Sequence, residues 1–557
     1  MADKKEIINL LEEIADLLEF KGENKFKVSA FRNCANIIRR LDTPFEKIVK
    51  DKSLGSIKGI GKGLQSVIYE FFETGRSKVL EELKNEVPEG INELLKIRGL
   101  GPKKLNVLYN ELGITSLGEL EYACAENRLA LLKGFGETSQ QKIVSEIDKI
   151  RQYNKFLLID KAEEIADGLL AKFNSFKSIK EVAISGEMRR GMEIISEIIF
   201  IVLITDKEKF IDEIKSCFGV KEENGKIIIE GDSKVSIIIF YSFTEDEFSR
   251  LLFITTGSEE FISHSNLAGK ELLGKSEKEL FENAALRFVI PEMREAQYWE
   301  QLNTALIKNS DLSIGNFKGL LHFHTTYSDG RNTLREMLVA AENTGFEFAA
   351  VCDHSKSAVY ANGLIEERIL KQKEEIKEIS SSYKLHIFQG IESDILNDGS
   401  LDYNSEFLEQ FDFIVASIHS RFNLEKDKMT ARLIKAIESP FTDLLGHPSG
   451  RLLLSRDPYE FDAKKIIDAC AANKVAIEIN ANPHRLDLDW RWIYYARDKG
   501  CLFSINPDAH SVDDISYIKY GILTGRKGGL QHNEVINCYE LNDFKLFLKR
   551  KINRKLS

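Results

Sequence analysis

The chain lacks the features that would place it in a membrane or in an oxidising compartment. None of its apolar runs continues for long enough to cross a bilayer. The first twenty residues are charged and then amphipathic, which is typical of a helix rather than of a secretory leader. Seven cysteines are scattered singly without a CxxC pair, which argues against a disulfide framework and fits a reducing cytosol. We therefore expect a soluble, cytoplasmic protein with no membrane partner.

Proline is scarce, low-complexity tracts are absent, and positive charge is not in excess. The 557 residues include 9 prolines, and 77 basic against 88 acidic side chains give a net charge of -11. That balance gives no global sign of nucleic-acid binding, but a basic groove can lie on an acidic body, and bound divalent cations would offset part of the deficit. The length is too great for one core and suggests about three to five domains.

The periodicity of apolar residues changes along the chain. Residues 1 to about 150 show helical spacing, residues 155–245 contain β-branched runs that predict a sheet with flanking helices, and helical character returns over 246–310. A polar, glycine-containing segment at 308–319 looks like a linker. Beyond it, predicted strands alternate with helices: GLLHFH, FEFAAVCDH, LHIFQGIE, FDFIVASIH, TDLLGH, VAIEIN and CLFSIN. This alternation predicts a closed or nearly closed parallel barrel of seven β/α units.

Histidines and carboxylates cluster at the predicted ends of these strands. Of the ten histidines, nine follow residue 316, and six of those nine lie at a strand end. One strand-end histidine is usually an ordinary polar residue, but residues i and i+2 of a strand point the same way, so HxH and DxH aim paired ligands into one site. Together with three carboxylates they predict a multinuclear metal centre. The candidate ligands are His322, His324, Asp329, His354, Glu392, His419, His447, Asp508 and His510.

These residues resemble the ligand set of the polymerase-and-histidinol-phosphatase (PHP) domain, over residues 316–557. The resemblance implies three divalent ions in a seven-stranded barrel. The first would be held by His322, His324, Glu392 and Asp508, the second by Glu392, His419 and His447, and the third by Asp329, His354 and His510. Mixed imidazole and carboxylate ligands suit zinc, manganese or iron, so the metal identity stays open.

The same resemblance implies hydrolysis of a phosphate ester. A metal-bridging water held near Glu392, His419 and Asp508 would be deprotonated near neutral pH and attack phosphorus in line, while the cations offset charge on the phosphoryl oxygens. Arg421 and Arg485 are candidate phosphate clamps. A solvated surface arginine is an equally good interpretation of each.

Three segments of the helical region share a hydrophobic residue, a GxG turn and a following helix, which is the signature of a helix-hairpin-helix motif. Such a turn brings backbone N–H groups at a helix N-terminus to a phosphate oxygen. One GxG turn alone would be an ordinary helical corner, but three predict sequence-independent binding of the DNA backbone. The glycines are Gly59, Gly61, Gly99, Gly101, Gly134 and Gly136.

The order of parts resembles bacterial family X DNA polymerases (PolX) over the full chain. The resemblance implies a multidomain α+β and then α/β protein with five parts. They are a helix-hairpin-helix domain at 1–83, a fingers-like helical domain at 84–152, a palm-like nucleotidyltransferase domain at 153–245, a thumb-like domain at 246–310 and the PHP barrel at 316–557. We expect a monomer that binds gapped, nicked or 3'-ended duplex DNA.

The palm-like segment departs from the family at its catalytic positions. The family motif is close to GSxRRGxExxxDxD, with a third aspartate on a later strand. Here the frame around Arg190 survives, but Glu187, Glu197, Ile199 and Ser236 stand where the family has a serine and three aspartates. An isoleucine cannot ligate a metal, and two-metal nucleotidyl transfer needs those carboxylates. We therefore expect an inactive polymerase core that remains as a DNA-holding scaffold.

Two further departures lie outside the palm-like segment, and the first of them also argues against polymerase activity. The thumb motif YFTGS of the family is Ile254-Thr255-Thr256-Gly257-Ser258 in this chain, without the aromatic pair that lines the nucleotide sugar. The lysine that some members use for deoxyribose-phosphate lyase chemistry aligns with Val67, which cannot form a Schiff base.

The expected function is a metal-dependent DNA phosphodiesterase of base excision repair. Its main activity would be that of a 3'-5' exonuclease, with possible processing of abasic sites or blocked 3' ends. Three alternatives stay open: an active gap-filling family X polymerase with a PHP accessory, a non-catalytic DNA-binding repair scaffold, and a small-molecule phosphatase. The last would need no DNA-binding region, and the scaffold would need an inert metal site.

Overall fold

The computed structural model describes residues 4–41, 45–88, 90–125, 129, 132, 134–153, 155–231, 234–264, 274–298, 308–454 and 456–555. The chain forms two compact units, Met1–Asn154 and Lys155–Ser557. No helix among the described residues is both long and apolar enough to cross a membrane.

The described part of the first unit is helical throughout. In its first helix Ile7, Leu11, Ile14 and Leu18 recur at three- and four-residue spacing, and each is at most 1% exposed, so the apolar stripe of the sequence lies in the core. The helices are α1 (Lys4–Phe20), α2 (Lys25–Arg39), α3 (Phe45–Lys50), α4 (Lys62–Thr74), α5 (Lys78–Glu86), α6 (Ile91–Leu94), α7 (Pro102–Leu112), α8 (Leu117–Ala125) and α9 (Glu137–Tyr153).

A mixed five-stranded sheet, here called the central sheet, opens the second unit. Its strands run in the order β2-β4-β7-β6-β5, and the apolar strand β4 lies inside the sheet, paired with β2 and β7. The elements are β1 (Leu157–Leu158), α10 (Ile159–Phe173), β2 (Ile179–Ser185), α11 (Gly186–Arg189), β3 (Ile194–Ile195), β4 (Glu197–Ile204), α12 (Lys207–Lys215), β5 (Gly219–Glu223), β6 (Lys226–Glu230) and β7 (Ser236–Ser242).

Within the described residues after the central sheet, three helices enclose a small aromatic core. They are α13 (Glu245–Thr256), α14 (Glu259–His264) and α15 (Glu277–Asn283). The guanidinium of Arg294 is fully buried beside the rings of Phe253 and Phe281, at 5.5 and 5.3 Å from their centroids, and pairs with the carboxylate of Glu277. A cation in such a place is stabilised by the ring faces and by its carboxylate together.

The rest of the second unit is a parallel barrel, as the alternation of strands and helices predicts. Seven strands follow one another in chain order across the sheet, and their residues are almost all buried. The elements are β8 (Gly319–Phe323), α16 (Leu334–Thr344), β9 (Phe348–Val351), α17 (Glu366–Ile379), β10 (His386–Asp394), α18 (Ser405–Leu408), β11 (Phe413–Ser417), α19 (Lys426–Glu438), β12 (Leu444–Leu445), α20 (Ala463–Asn473), β13 (Ala476–Asn480), α21 (Trp490–Asp498), β14 (Phe503–Asn506), α22 (Ile518–Lys527) and α23 (Leu541–Lys555).

The two ends of the barrel differ in the side chains that fill them. The first strand meets the segment after the last one, because Phe323 bridges Ala509 and His324 N donates to Ala509 O at 2.8 Å. At the amino ends of the strands Phe544 of α23 stacks on Phe348, with ring centroids 4.8 Å apart. The amino end is therefore filled by apolar side chains, and the polar strand ends lie at the opposite end, where barrel enzymes carry their chemistry.

Candidate metal centre and helix-hairpin-helix turns

The candidate ligands converge at the carboxyl ends of the barrel strands. Each comes from the last residues of a strand or from the loop directly after it, so the parallel order of the strands brings distant parts of the sequence together. Ligand atoms form three groups in which all members lie within 4.8 Å of one another. The groups are His324, Asp329, His354 and His510; His322, His324 and Asp508; and His354, Glu392 and His419.

The ninth candidate, His447, lies beside the third group. Its Nε2 is 3.0 Å from Glu392 Oε1 and 3.2 Å from His419 Nε2. The grouping departs from the expected division in three respects: His324 also joins the group of Asp329, Glu392 is absent from the group of His322, and His354 also joins the group of Glu392. His354 lies next to Glu392, with Nδ1 2.9 Å from Oε2, as well as beside Asp329.

The donor atoms of this cluster are suited to divalent cations. His322 Nε2 and His324 Nδ1 are buried, and neither makes a hydrogen bond within the described part of the chain. Carboxylate oxygens of Asp508 and Asp329 lie 3.5 and 3.8 Å from these two nitrogens, too far for hydrogen bonds. Buried polar atoms without partners cost free energy, and a cation between imidazole and carboxylate would satisfy them.

The electrostatics of the cluster favour ionised carboxylates, whereas its imidazoles differ from one another. Burial alone would lower the pKa of His322, His419 and His510, but the carboxylates around them raise the pKa of His322 and raise those of His419 to about 10 and His510 to about 9, so a cation that binds here must displace protons. Burial lowers the pKa of His324 to about 4, and the neighbouring His510 and His354 add to the effect. Burial alone would raise the pKa of Glu392 and of Asp508, but the imidazoles around them hold both well below the ordinary value. Neutral imidazole and ionised carboxylate are the forms that serve as ligands.

Two carboxylates that sequence reasoning did not single out orient the imidazoles. Glu478 Oε1 lies 2.7 Å from His322 Nδ1, and Asp394 Oδ1 lies 2.6 Å from His419 Nδ1. Glu478 also accepts a hydrogen bond from the backbone N–H of His447 at 2.7 Å. Each fixes which ring nitrogen faces the centre. A signal was available for Asp394, which lies two residues after Glu392 in one strand and so points to the same side.

A third carboxylate outside the candidate ligand set holds the loop between two candidate ligands. Asp353 is fully buried and accepts hydrogen bonds from Thr325 N at 2.8 Å and from Gln372 Nε2 at 2.6 Å. It also accepts from Ser328 Oγ at 2.5 Å, so the turn that leads from His324 to Asp329 is tied down on both sides. Asp353 acts on the centre through this turn.

The two candidate phosphate clamps differ in position. Arg485 is largely buried, and its Nε lies 3.9 Å from Asp508 Oδ2, at the edge of the cluster. Arg421 is exposed, two residues beyond His419, in a left-handed backbone conformation with φ 55°.

The palm-like positions lie together on the central sheet. Glu197 pairs with Ser236 across the parallel strands β4 and β7, and Ile199 is 6% exposed and packs beside Gly186. Glu187 accepts hydrogen bonds from Ser196 N at 2.6 Å and Ser196 Oγ at 2.9 Å. Burial raises the pKa of Glu197, and the nearby Glu187 raises it further. Glu197, Ile199 and Ser236 thus lie close together at the three positions where the family resemblance implies aspartates, with Glu187 beside them at the position of its serine.

The surviving arginine of this motif is tied to residues further along the chain. Arg190 Nε lies 3.0 Å from Glu295 Oε1, and its Nη1 donates to Thr256 O at 2.8 Å. Thr256 belongs to the segment that aligns with the thumb motif, and its hydroxyl lies 2.9 Å from Ser185 Oγ. The side chain of Arg190 and the hydroxyl of Thr256 therefore already have hydrogen-bond partners within the protein.

The three GxG turns of the first unit have the same backbone geometry. Their first glycines, Gly59, Gly99 and Gly134, have φ of 101°, 84° and 92°, a region that L-residues rarely adopt. Gly61 and Gly101 cap helices α4 and α7, and Gly136 directly precedes α9. Each turn therefore presents the N–H groups of a helix N-terminus.

Cationic side chains lie close to two of the turns. A cavity of about 580 Å³ beside the second turn is lined by Arg98, Gly99, Lys104 and Lys142 among others. Another of about 430 Å³ beside the first turn includes Arg40 and Gly59. Basic groups next to helix N-termini suit an anionic backbone.

Models of known protein families match parts of both units. A helix-hairpin-helix domain model matches residues 2–77, and a model of a SAM-like helix-hairpin-helix tandem matches residues 91–149. A PHP domain model matches residues 321–482, which include seven of the nine candidate ligands; Asp508 and His510 lie beyond it.

Similar proteins fall into two kinds. The DNA polymerase/3'-5' exonuclease PolX of Bacillus subtilis (strain 168) is 34% identical, over 98% of this chain and 99% of that protein. A probable phosphatase of Vibrio parahaemolyticus is 26% identical over 41% of this chain and 92% of its own length. A probable phosphatase of Caldicellulosiruptor bescii is 30% identical over 28% of this chain.

Proposed function

The chain belongs to the PolX family, and from this membership we propose that it is a DNA-binding, metal-dependent 3'-5' exonuclease that acts through its PHP centre. The observation that carries the proposal is the convergence of nine imidazole and carboxylate side chains at the carboxyl end of the barrel. The relative from Bacillus subtilis, similar over nearly its whole length, carries both a polymerase and an exonuclease in its name.

The nine residues would hold up to three divalent ions. His322, His324 and Asp508 form one set, His354, Glu392, His419 and His447 a second, and Asp329 with His510 completes a third around His324 and His354. Bound divalent ions supply Lewis acidity and activate water at neutral pH. The donor set suits zinc, manganese or iron.

The chain's own side chains would orient the substrate and its surroundings. The guanidinium of Arg485, at the edge of the cluster, would bind a phosphate oxygen of the scissile phosphodiester. Glu478 and Asp394 would hold His322 and His419 in one ring orientation. Arg421 would meet the DNA strand as it leaves the site, since its side chain is exposed.

The helix-hairpin-helix turns would hold the DNA. Gly59, Gly99 and Gly134 allow three turns of one geometry, and the neighbouring cavities carry basic side chains. Contacts of this type reach phosphates and not base edges, so binding would be independent of sequence. Gapped, nicked or 3'-ended duplexes are the substrates we propose, in base excision repair.

The central sheet would not catalyse nucleotide addition. Ile199 is buried and offers no ligand atom, and Glu187 and Glu197 raise the negative charge where a triphosphate would enter. Ser236 pairs with Glu197 across the sheet and offers only a hydroxyl. This region would serve as a scaffold for DNA and for the barrel.

An active gap-filling polymerase with a PHP exonuclease accessory is the second candidate. It is favoured by the similarity to a DNA polymerase over 98% of the chain, the palm included. Glu197 would then have to bind a cation in place of the first aspartate.

A nuclease assay with the full chain tests the main proposal. The metal-stripped protein should be inactive, and added Mn²⁺ should restore removal of nucleotides from the 3' end of 5'-labelled DNA. His419→Ala should lower the rate by about a hundredfold or more, because it removes a ligand and a neighbour of Glu392. Full metal-dependent activity in His419→Ala would refute the PHP centre as the nuclease site.

A further inference from the structure

The palm-like motif contacts the barrel through its glutamate, Glu193. Glu193 is only 6% exposed, and its carboxylate faces the barrel and not the central sheet. Its Oε2 accepts from Trp490 Nε1 at 3.2 Å, and its Oε1 accepts from Arg491 Nη1 at 3.0 Å. Arg451 Nη1 lies 4.0 Å from the same Oε1. The glutamate of the RRGxE frame is therefore bound by three side chains of the barrel.

Arg451 connects this contact to the loop that carries Arg485. Its Nε donates to Arg485 O at 2.8 Å, and its Nη2 donates to Leu486 O. Its Nη1 donates to Asp489 Oδ2 at 2.8 Å. A single guanidinium thus holds two consecutive carbonyl groups of the loop and the residue that caps helix α21.

The far side of the loop lies against the metal centre. Arg485 Nε is 3.9 Å from Asp508 Oδ2. Asp487 accepts hydrogen bonds from Ser449 N at 3.0 Å and Ser449 Oγ at 2.6 Å, two residues beyond His447. The loop of residues 482–489 therefore lies between the palm-like contact and two candidate ligands.

We propose that Glu193 is a positioning residue for the nuclease: it fixes Arg451 and Arg491, and through them the loop that carries Arg485. The palm-like motif would then serve the PHP centre directly. This inference rests on the proposed exonuclease activity for its functional consequence, whereas its structural consequence can be measured without that activity.

The charges around the contact give the physical reason. Glu193 and Asp489 balance Arg451 and Arg491, and Arg491 Nη1 contacts both carboxylates at 3.0 Å. Removal of Glu193 leaves two guanidinium groups to share Asp489 alone. Because a buried charge that loses its partner costs more than an exposed one, Arg451 or Arg491 should turn toward solvent and loosen its hold on the loop.

Hydrogen–deuterium exchange on the full chain tests the structural step. Glu193→Ala should raise amide exchange within residues 482–489 about tenfold, with strand β11 unchanged as a sign that the barrel stays folded. Glu193→Gln, which keeps an acceptor but not the charge, should give a smaller rise. The matched control is Glu213→Ala, since Glu213 is a half-buried carboxylate of helix α12 that accepts hydrogen bonds from Lys177 N at 3.0 Å and Ser178 N at 3.2 Å, next to the central sheet. Equal exchange of the loop in wild type and Glu193→Ala would overturn the proposal.

A double-mutant cycle tests the functional step. Arg485→Ala should lower kcat/KM on a 3'-ended duplex about tenfold or more. Glu193→Ala should lower it in the same direction, and the double variant should lose little beyond Arg485→Ala alone. Additive losses would refute action through Arg485. A wild-type chain without metal-dependent cleavage would refute the proposed function, and the exchange measurement would still decide the role of Glu193.

Discussion

At the scale of single residues, the account depends on how carboxylates orient imidazoles. Glu478 contacts both the ring of His322 and the backbone of His447, so one side chain controls two candidate ligands. It is fully buried, and Asn506 Nδ2 donates to it at 2.9 Å. Such an arrangement fixes ring tautomers and raises the basicity of the ligating nitrogens.

Glu478→Gln should therefore weaken metal binding. The amide keeps the size of the side chain but can donate where the carboxylate only accepts, so the hydrogen bond from His322 is weakened. We expect the affinity for Zn²⁺ or Mn²⁺ to fall about 10- to 100-fold in equilibrium dialysis with metal analysis. Glu378→Gln, at an exposed site of helix α17, is the matched control and should bind as the wild type does. Unchanged affinity in Glu478→Gln would contradict the orienting role.

The residues of the cluster were predictable to different degrees. The nine candidates stand at strand ends, and HxH or DxH spacing shows in the sequence alone. Glu478 was not singled out, because its partner His322 lies on a strand 156 residues away and their approach depends on how the barrel closes. The double contact of His354, with Asp329 and Glu392, likewise depends on distances between loops.

At the scale of elements, apolar periodicity was enough to predict the helices of the first unit and the strand–helix alternation of the barrel. The closure between Phe323 and Ala509 is not visible as a pattern, since it joins a strand to a loop by a single bridge. The contact between Arg190 and Glu295 could also not be predicted from the sequence. It pairs residues 105 positions apart, one directly after helix α11 and one in the irregular segment after α15.

The three turns of the first unit offer a test at this scale. Gly99→Val should weaken binding to duplex DNA, because a β-branched residue is strained at φ 84° by about 1–3 kcal/mol and displaces the helix N-terminus. Fluorescence anisotropy at fixed salt should show equal losses on two unrelated duplexes.

Gly118→Val is the control for this substitution. Gly118 lies in helix α8 without a positive φ, and a side chain added there would meet open space within the described part of the chain. The same change should therefore leave DNA affinity near the wild-type value. A loss in Gly99→Val that depends on the base sequence would contradict backbone binding.

At the scale of the whole molecule, the central claim is that the PHP barrel carries the chemistry and the palm-like sheet does not. Eight of the nine residues that the family resemblance implies as ligands fall into close groups at the barrel, and the ninth, His447, contacts Glu392. The central sheet has a buried isoleucine and two neighbouring glutamates at the positions that the family resemblance assigns to a polymerase site. Glu193, meanwhile, faces the barrel.

The fate of one labelled primer tests this claim most directly. A 5'-labelled primer on a gapped duplex is incubated with the full chain, Mn²⁺ and all four deoxynucleoside triphosphates. The account predicts that the wild type shortens the primer and that His419→Ala stops the shortening. Neither protein should form a product that is longer than the primer. Extension of the primer by wild type, retained in His419→Ala, would contradict the account.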